Sequence, residues 1–282
     1  MNDVGNIQWF PGHMTKTRRL IEADLKMVDA VVEITDARIP ESSRNPILDE
    51  LVKDKPRIIL MNKCDYADEA ATRAWKQFYE KKGIRVLTCD CRSGKGLNAF
   101  LPEVKRLLAD LIERRKKRGM IGKALRLMVV GIPNVGKSSF INRMAKTKKT
   151  KVGDKPGVTR GKQWVSIDRD VELLDMPGIL WPKFDDQLAA QRLAFTGAIK
   201  DDVMDTEALA RALGAVLKEQ YPELLNARYK ISGDEDILRD IAKSRGMLVS
   251  GGEPDTERAA AALLDEYRGG KIGRITLEKP GK

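Results

Sequence analysis

The sequence predicts an α/β protein: a mostly parallel sheet of six strands with helices on both faces, followed by a small all-helical domain. Three observations predict it. Apolar runs rich in β-branched residues alternate with stretches of helical period from residue 15 to about residue 180, the pattern of strands joined by crossover helices. The runs are apolar almost throughout, as in strands buried on both faces. After Trp181-Pro182 the texture changes and only helical periodicity remains.

Each element has its own signal. Residues 15–28 place Leu20, Ile21, Asp24, Leu25 and Val28 at helical spacing. DAVVEI (29–34) is a buried strand and PRIILM (56–61) a second, with helix expected over 66–82. IRVLTCD (84–90) is a third strand, followed by a helix over 97–112. The run RRKKR (114–118) before Gly119 reads as a helix end passing into a linker. LRLMVVG (125–131) is a fourth strand and 136–144 opens a helix. WVSI (164–167) and VELLD (171–175) form a hairpin around Asp168-Arg169-Asp170. Helices are then expected over 186–199, 205–220, 234–245 and 255–268, the last with Asp255 or Thr256 ahead of AAAALL. The boundary falls at 182/183, giving a sheet domain with an N-terminal arm over 1–182 and a helical domain over 183–282.

Composition narrows the class. With 282 residues, 42% hydrophobic and 33% charged, the chain can bury a core. No run approaches the roughly 18–20 apolar residues that span a bilayer. The start carries Asp3 and no apolar leader. Three cysteines cannot build a disulfide framework; Cys89 and Cys91, two apart in the third strand, are expected on opposite faces, and the expectation is a reduced, cytoplasmic protein. Charge is uneven. Residues 183–282 hold 16 Lys/Arg against 18 Asp/Glu, which leaves a net +13 on residues 1–182. Such a basic half favours a polyanionic partner, and no basic amphipathic helix or lipidation signal points to a membrane.

The strongest motif is GIPNVGKS at 131–138, a full G-x-x-x-x-G-K-[ST] between an apolar strand and a helix. Glycines let backbone N–H groups wrap phosphates. Lys137 reaches the β- and γ-phosphates, and the Ser138 hydroxyl ligates Mg²⁺. The helix points its positive end at the anion. The nucleotide-binding candidates here are Asn134, Val135, Gly136, Lys137, Ser138 and Ser139. VELLDMPG (171–178) supplies Asp175 at a strand end, where it can hold a metal-bound water, and the Gly178 N–H for the γ-phosphate. Between them, KPGVTRG (155–161) offers Thr159 as the switch threonine that closes on Mg²⁺.

Base selection rests on NKCD (62–65) after a buried strand. Asp65 can accept from guanine N1 and its exocyclic amine, a donor pair adenine lacks. Asn62 ties this loop to the phosphate loop, and the Lys63 stem lies over the base. TCDCRSGKGL (88–97) forms a tight loop whose backbone N–H near Cys91 meets guanine O6. The order is unusual, because NKCD precedes the phosphate loop. The same sheet forms if the chain is circularly permuted, with the old termini joined through 105–124 and new ends opened after the D-x-P-G switch.

At this point the chain resembles a circularly permuted P-loop GTPase of the YlqF/RbgA type (ribosome biogenesis GTPase A), which acts in assembly of the large ribosomal subunit. The motifs that carry the resemblance span the chain: WFPGHM (9–14), DARIP (36–40), NKCD, GIPNVGKSS, PGVT (156–159), DMPG and GKIGRITLE (270–278). One departure is that Asp90 and Cys91 occupy the usual Ser-Ala positions of the guanine-proximal loop. Familiar small GTPases orient the attacking water with a glutamine after the switch glycine; here Ile179 stands there. The one histidine, His13, follows the Pro11-Gly12 turn, and the resemblance tilts the assignment toward a catalytic or water-orienting role for it, the RNA partner being the other supplier. Asn134 matches GTPases that use K⁺, with the amide oxygen as ligand. The expected cofactors are GTP, Mg²⁺ and K⁺, and the expected partners are the large ribosomal subunit or its precursor and rRNA, bound by a monomer.

Basic runs offer phosphate-backbone contacts: Lys16, Arg18 and Arg19; Arg114 to Arg118; Lys146 to Lys151; Arg160 and Lys162; and a local patch of Arg228, Lys230, Arg239, Lys243 and Arg245. Leu209, Leu213, Leu217, Leu263 and Leu264 read as core of the helical domain. Two function classes remain, a GTP-hydrolysing assembly factor and an RNA-binding scaffold in which guanine nucleotide only locks a conformation; intact Lys137, Ser138 and Asp175 favour the first.

Overall fold

The computed structural model describes residues 14–52, 55–120, 122–145, 163–178, 186–199, 204–231 and 236–281. His13, Thr159, the 146–151 run, Arg160, Lys162 and Ile179 lie outside the described residues, as do the side chains of Lys16 and Arg18. The described residues fall into two compact units, 14–178 with 278–281, and 186–277. The helical unit therefore stops short of the expected 282, because Glu278 is hydrogen-bonded into the sheet unit.

The sheet unit contains β1 (Ala30–Asp36), β2 (Arg57–Asn62), β3 (Arg85–Thr88), β4 (Leu125–Val130), β5 (Gln163–Asp168) and β6 (Val171–Asp175). They lie in the order β3-β2-β1-β4-β6-β5. All neighbours are parallel except β5 and β6, which form the expected antiparallel hairpin. β1 is central and buried at every position, which explains its mostly apolar run. One charge interrupts it: Glu33 is buried, with Arg44 and Arg57 each at 3.4 Å. Burial pushes its carboxyl above the usual range, against the pull of both guanidiniums.

Helices α1 (Met14–Leu25), α2 (Pro46–Leu51), α3 (Glu69–Lys81), α4 (Phe100–Leu107), α5 (Ala109–Lys117) and α6 (Lys137–Met144) accompany the sheet. From α1 and the turn after it, Ile21, Leu25 and Val28 pack with Leu48 of α2 and Met128 of β4. On α3, capped by the Asp68 side chain, Trp75 and Tyr79 pack on Ile59 and Met61 of β2. The expected helix over 97–112 is in fact a 3₁₀ turn (Leu97–Ala99) and two helices that break at Leu108, whose side chain stays buried. The basic run ends α5, and Gly119 leaves it with positive φ.

The helical unit contains α7 (Gln187–Phe195), α8 (Thr206–Gln220), α9 (Pro222–Tyr229), α10 (Ile237–Arg245) and α11 (Thr256–Arg268). Asp186, Asp205, Asp236 and Asp255 cap α7, α8, α10 and α11 through their side chains. Leu209, Leu213, Leu217, Leu263 and Leu264 are buried, as expected of its core. Two short helices, α2 and α9, have no counterpart in the sequence reading; each begins with proline at its first position, where the missing N–H costs nothing. Among the described residues no helix is long and apolar enough to cross a membrane.

Candidate active site

Parallel pairing brings the carboxyl ends of β1, β2, β3, β4 and β6 to one edge of the sheet. From the adjacent strands β1 and β4 the chain runs outward in opposite directions, toward β2 and β3 on one side and toward β6 and β5 on the other. The crevice at such a switch point is where open α/β sheets bind ligands. GIPNVGKS leaves the end of β4, NKCD the end of β2, DCRSGKG follows β3, and DMPG begins at the last residue of β6.

The phosphate loop turns into α6, whose N-cap is Gly136 at φ 103°. A Cβ there would collide with the Asn62 amide nitrogen, so glycine is required both by its backbone and by the approach of the NKCD loop. Ser138 and Ser139 sit in the first turn of α6, and Asn134 holds the left-handed region at φ 57°. Lys137 is buried, and its ammonium donates to the carbonyls of Gly131 and Ile132, both at 2.9 Å. Burial lowers its pKa to about 8, against the opposing charge of Asp175. Gly178 closes on this loop: a Cβ on it would lie 3.0 Å from Lys137 Nζ and 3.0 Å from Pro133 Cα. The D-x-P-G glycine and the phosphate-loop lysine are thus brought together.

Asp175 is buried, and neither carboxylate oxygen has a hydrogen-bond partner among the described residues. Burial raises its pKa to about 6, with Lys137 pulling the other way. A buried carboxylate with open lone pairs needs a donor or a cation, a need that a metal-bound water would meet.

On the base side, Asn62 Nδ2 donates to the Val135 carbonyl at 2.7 Å, the tie expected between the two loops. Lys63, at φ 60°, places its ammonium 3.0 Å from Asp36. Asp65 is half-buried; burial and then the nearby Asp90 raise its pKa. The loop after β3 differs from expectation. Its strand ends at Thr88, so Cys89 and Cys91 lie in the turn, and their sulfurs approach to 3.8 Å instead of pointing to opposite faces. The Cys91 N–H is also not turned outward; it donates to Asn62 Oδ1 at 2.9 Å. Cys91 here holds Asn62. Asp90, standing where serine is usual, accepts from the N–H groups of Arg92 (2.8 Å) and Ser93 (3.1 Å) and so closes the turn itself.

The basic clusters are partly internal. Arg115 turns inward to Asp29 at 2.6 Å, while Arg114, Lys116, Lys117 and Arg118 are exposed. In the helical unit Arg228 and Arg245 both pair with Glu266, and Arg239 pairs with Glu253. The sequence reading missed Asp36, Arg38 and Glu278 as participants around the site. Only their places in DARIP and GKIGRITLE marked them; no spacing did.

A parallel sheet that carries a phosphate loop, a D-x-P-G switch and N-K-x-D on one edge defines a P-loop GTPase, here with the guanine motif ahead of the phosphate loop in the chain. A family described as 50S ribosome-binding GTPase matches residues 126–227. A ribosome biogenesis GTPase A from Bacillus licheniformis is 47% identical over 278 residues, covering 97% of this chain and 98% of that protein. One from Thermotoga maritima is 34% identical over 275 residues, covering 97% and 95%. Among solved structures, GDP-bound TM YlqF aligns with a TM-score of 0.69 at 29% identity, over 93% of this chain and 99% of that one. GNP-bound YlqF from T. maritima aligns at 0.65 and 30%, over 95% and 99%. The chain belongs to the ribosome biogenesis GTPase A family.

Proposed function

We propose that this protein hydrolyses GTP as an assembly factor for the large ribosomal subunit, binding rRNA or a subunit precursor and using hydrolysis as a release or checkpoint switch. The observation that carries the reading is the Asn62–Val135 hydrogen bond, which sets a guanine-selective motif against a complete phosphate loop at the sheet's switch point. In this reading Asp65 accepts from guanine, with Asn62, Lys63 and the Cys91 turn framing the base. The backbone of Asn134 to Ser139 wraps the phosphates. Lys137 moves from the Gly131 and Ile132 carbonyls to phosphate oxygens, and the Gly178 N–H senses the γ-phosphate.

Ser138 and Thr159 would hold Mg²⁺ directly and Asp175 through water, and the Asn134 amide oxygen suits K⁺. Bound there, the two cations would supply charge stabilisation for the departing phosphate. His13 orients the attacking water, in the place Ile179 cannot fill. The exposed part of the α5 run and the basic segments 146–151 and 160–162 provide phosphate-backbone contacts, and the protein acts as a cytoplasmic monomer.

Single-turnover GTP hydrolysis, measured with and without large-subunit precursors, tests this. The expectation is slow turnover alone, strong stimulation by the particle, and binding that weakens steeply with salt as counterions are released. Nucleotide binding with no hydrolysis in either arm would instead make the protein a nucleotide-locked scaffold.

A further inference from the structure

The least explained polar cluster beside the site is at the end of β1. Asp36 is 1% exposed and lies directly opposite Asn62 in the β1–β2 register. Its carboxylate receives four hydrogen bonds or ion contacts: from Arg38 Nε (2.9 Å), Arg38 Nη2 (2.7 Å), the Arg38 N–H (3.0 Å) and Lys63 Nζ (3.0 Å). The charges of Arg38 and Lys63 outweigh the cost of burial and keep Asp36 ionised far below its ordinary range. The pKa of Lys63 is lowered as well, by burial and by the nearby Arg38 charge, against the attraction of Asp36. Without Asp36, the buried Arg38 guanidinium and the partly buried Lys63 ammonium would lose the carboxylate they share, a loss that low-dielectric surroundings penalise heavily.

The loop that presents this carboxylate is itself pinned. The Asp36 N–H donates to Ser43 Oγ at 2.9 Å. Next to Ser43, the Glu278 carboxylate accepts from the N–H groups of Glu41 (2.7 Å) and Ser42 (3.1 Å) and from the Ser42 hydroxyl. Trp75 Nε1 donates to the Glu278 carbonyl at 3.0 Å, which anchors Glu278 to α3. A chain of contacts therefore runs from Glu278 through Ser42 and Ser43 to Asp36 and on to Lys63.

We propose that Asp36 is a positioning residue for guanine-nucleotide binding, holding the Lys63 ammonium and stem in place beside the base, and that Glu278 acts on the same step by fixing the loop that carries Asp36. This rests on the reading of NKCD as the guanine motif. Asp36 touches no nucleotide atom in this scheme and acts only through Lys63. Because the clamp is at the base end, it affects GDP and GTP alike.

The test is a double-mutant cycle on the full-length protein, read as the Kd of fluorescent GDP and of a non-hydrolysable GTP analogue. Asp36→Asn is expected to raise both Kd values by the same factor, about tenfold for a lost charge-assisted contact. In a Lys63→Met background the same substitution is expected to change Kd less than twofold, since its target is gone. Glu278→Gln, remote from the nucleotide, is expected to raise both Kd values about threefold, again only with Lys63 present. If Asp36→Asn does not fold, as judged by its thermal transition, the Glu278→Gln cycle decides alone. Unchanged Kd in the folded variants, effects that persist in full with Lys63→Met, or an effect confined to the triphosphate would overturn the proposal. Asp65→Asn serves as the separate control: an unaltered base preference there would remove the guanine reading itself.

Discussion

Asn62 and Val135 stand 73 residues apart in the chain and meet in a single 2.7 Å hydrogen bond between the NKCD loop and the phosphate loop. Asn62 is fixed from the other side by the Cys91 N–H, so one amide joins three strand ends. The neighbouring glycine makes that junction possible. Gly136→Ala puts a methyl group against the Asn62 amide and strains a φ of 103°. Nucleotide affinity is expected to fall by at least tenfold, with about 1–3 kcal/mol of stability lost. Isothermal titration with GDP alongside a urea melt checks both; wild-type affinity would mean the two loops bind independently.

Base selection is expected to reside in one carboxylate. Asp65→Asn reverses the donor and acceptor pattern offered to the base, so guanine nucleotides should bind more weakly by about 10²-fold or more and xanthine nucleotides better. Competition titrations with GDP, XDP and ADP report this directly. Equal affinity of the unmodified protein for ATP and GTP would refute the assignment.

Asp175 carries a pH signature. Its pKa is raised from 3.8 to about 6 by burial, so the folded state binds more protons than the unfolded state between those values. The stability from the protonated form is complete below about pH 4 and is lost as pH rises through 6, a change of about 2–3 kcal/mol. Asp175→Asn removes that slope. The thermal midpoint of the variant relative to the unmodified protein should therefore rise between pH 4 and pH 6.5 in metal-free buffer, while Mg²⁺-dependent tightening of GTP binding disappears. Parallel midpoints across that range would show that Asp175 titrates normally.

His13→Ala is expected to slow GTP cleavage at least tenfold while leaving GTP affinity within about twofold, the mark of a contact made in the transition state only. The particle-stimulated, single-turnover reaction at saturating GTP is the measurement of choice. A stimulated rate within about twofold of the unmodified protein would pass the role to the RNA, a backbone-held water or K⁺ at Asn134.

Motifs with a fixed backbone geometry were legible in the sequence: the phosphate loop, NKCD and DMPG all announce a strand end by pattern, and all three fall at strand ends. Strands β1, β2 and β4 were legible because burial at nearly every position leaves mostly apolar runs, and β5 and β6 because they flank the Asp168-Arg169-Asp170 turn. Two helices were not, since Pro46 and Pro222 look like breakers unless read as first-turn residues. Cys89 and Cys91 were misplaced on two counts: residues two apart in a strand share a face, so alternation does not separate them, and the strand itself ends at Thr88, which puts both in the turn. The Asp36–Lys63 pair and the Glu278 contacts were invisible because they join residues that no local spacing connects.

The Ser42–Glu278 contacts span 236 positions. A ribosome adds roughly 5–20 residues per second, so about 12–47 s separate the synthesis of the β1–α2 loop from that of the carboxylate that fastens it. Every nascent chain thus passes through an interval in which all six strands exist but the loop beside Lys63 is still unfastened. A frameshift or premature stop within the last helix would leave the molecule permanently in that interval, with each sheet motif intact and the Asp36 loop unsecured.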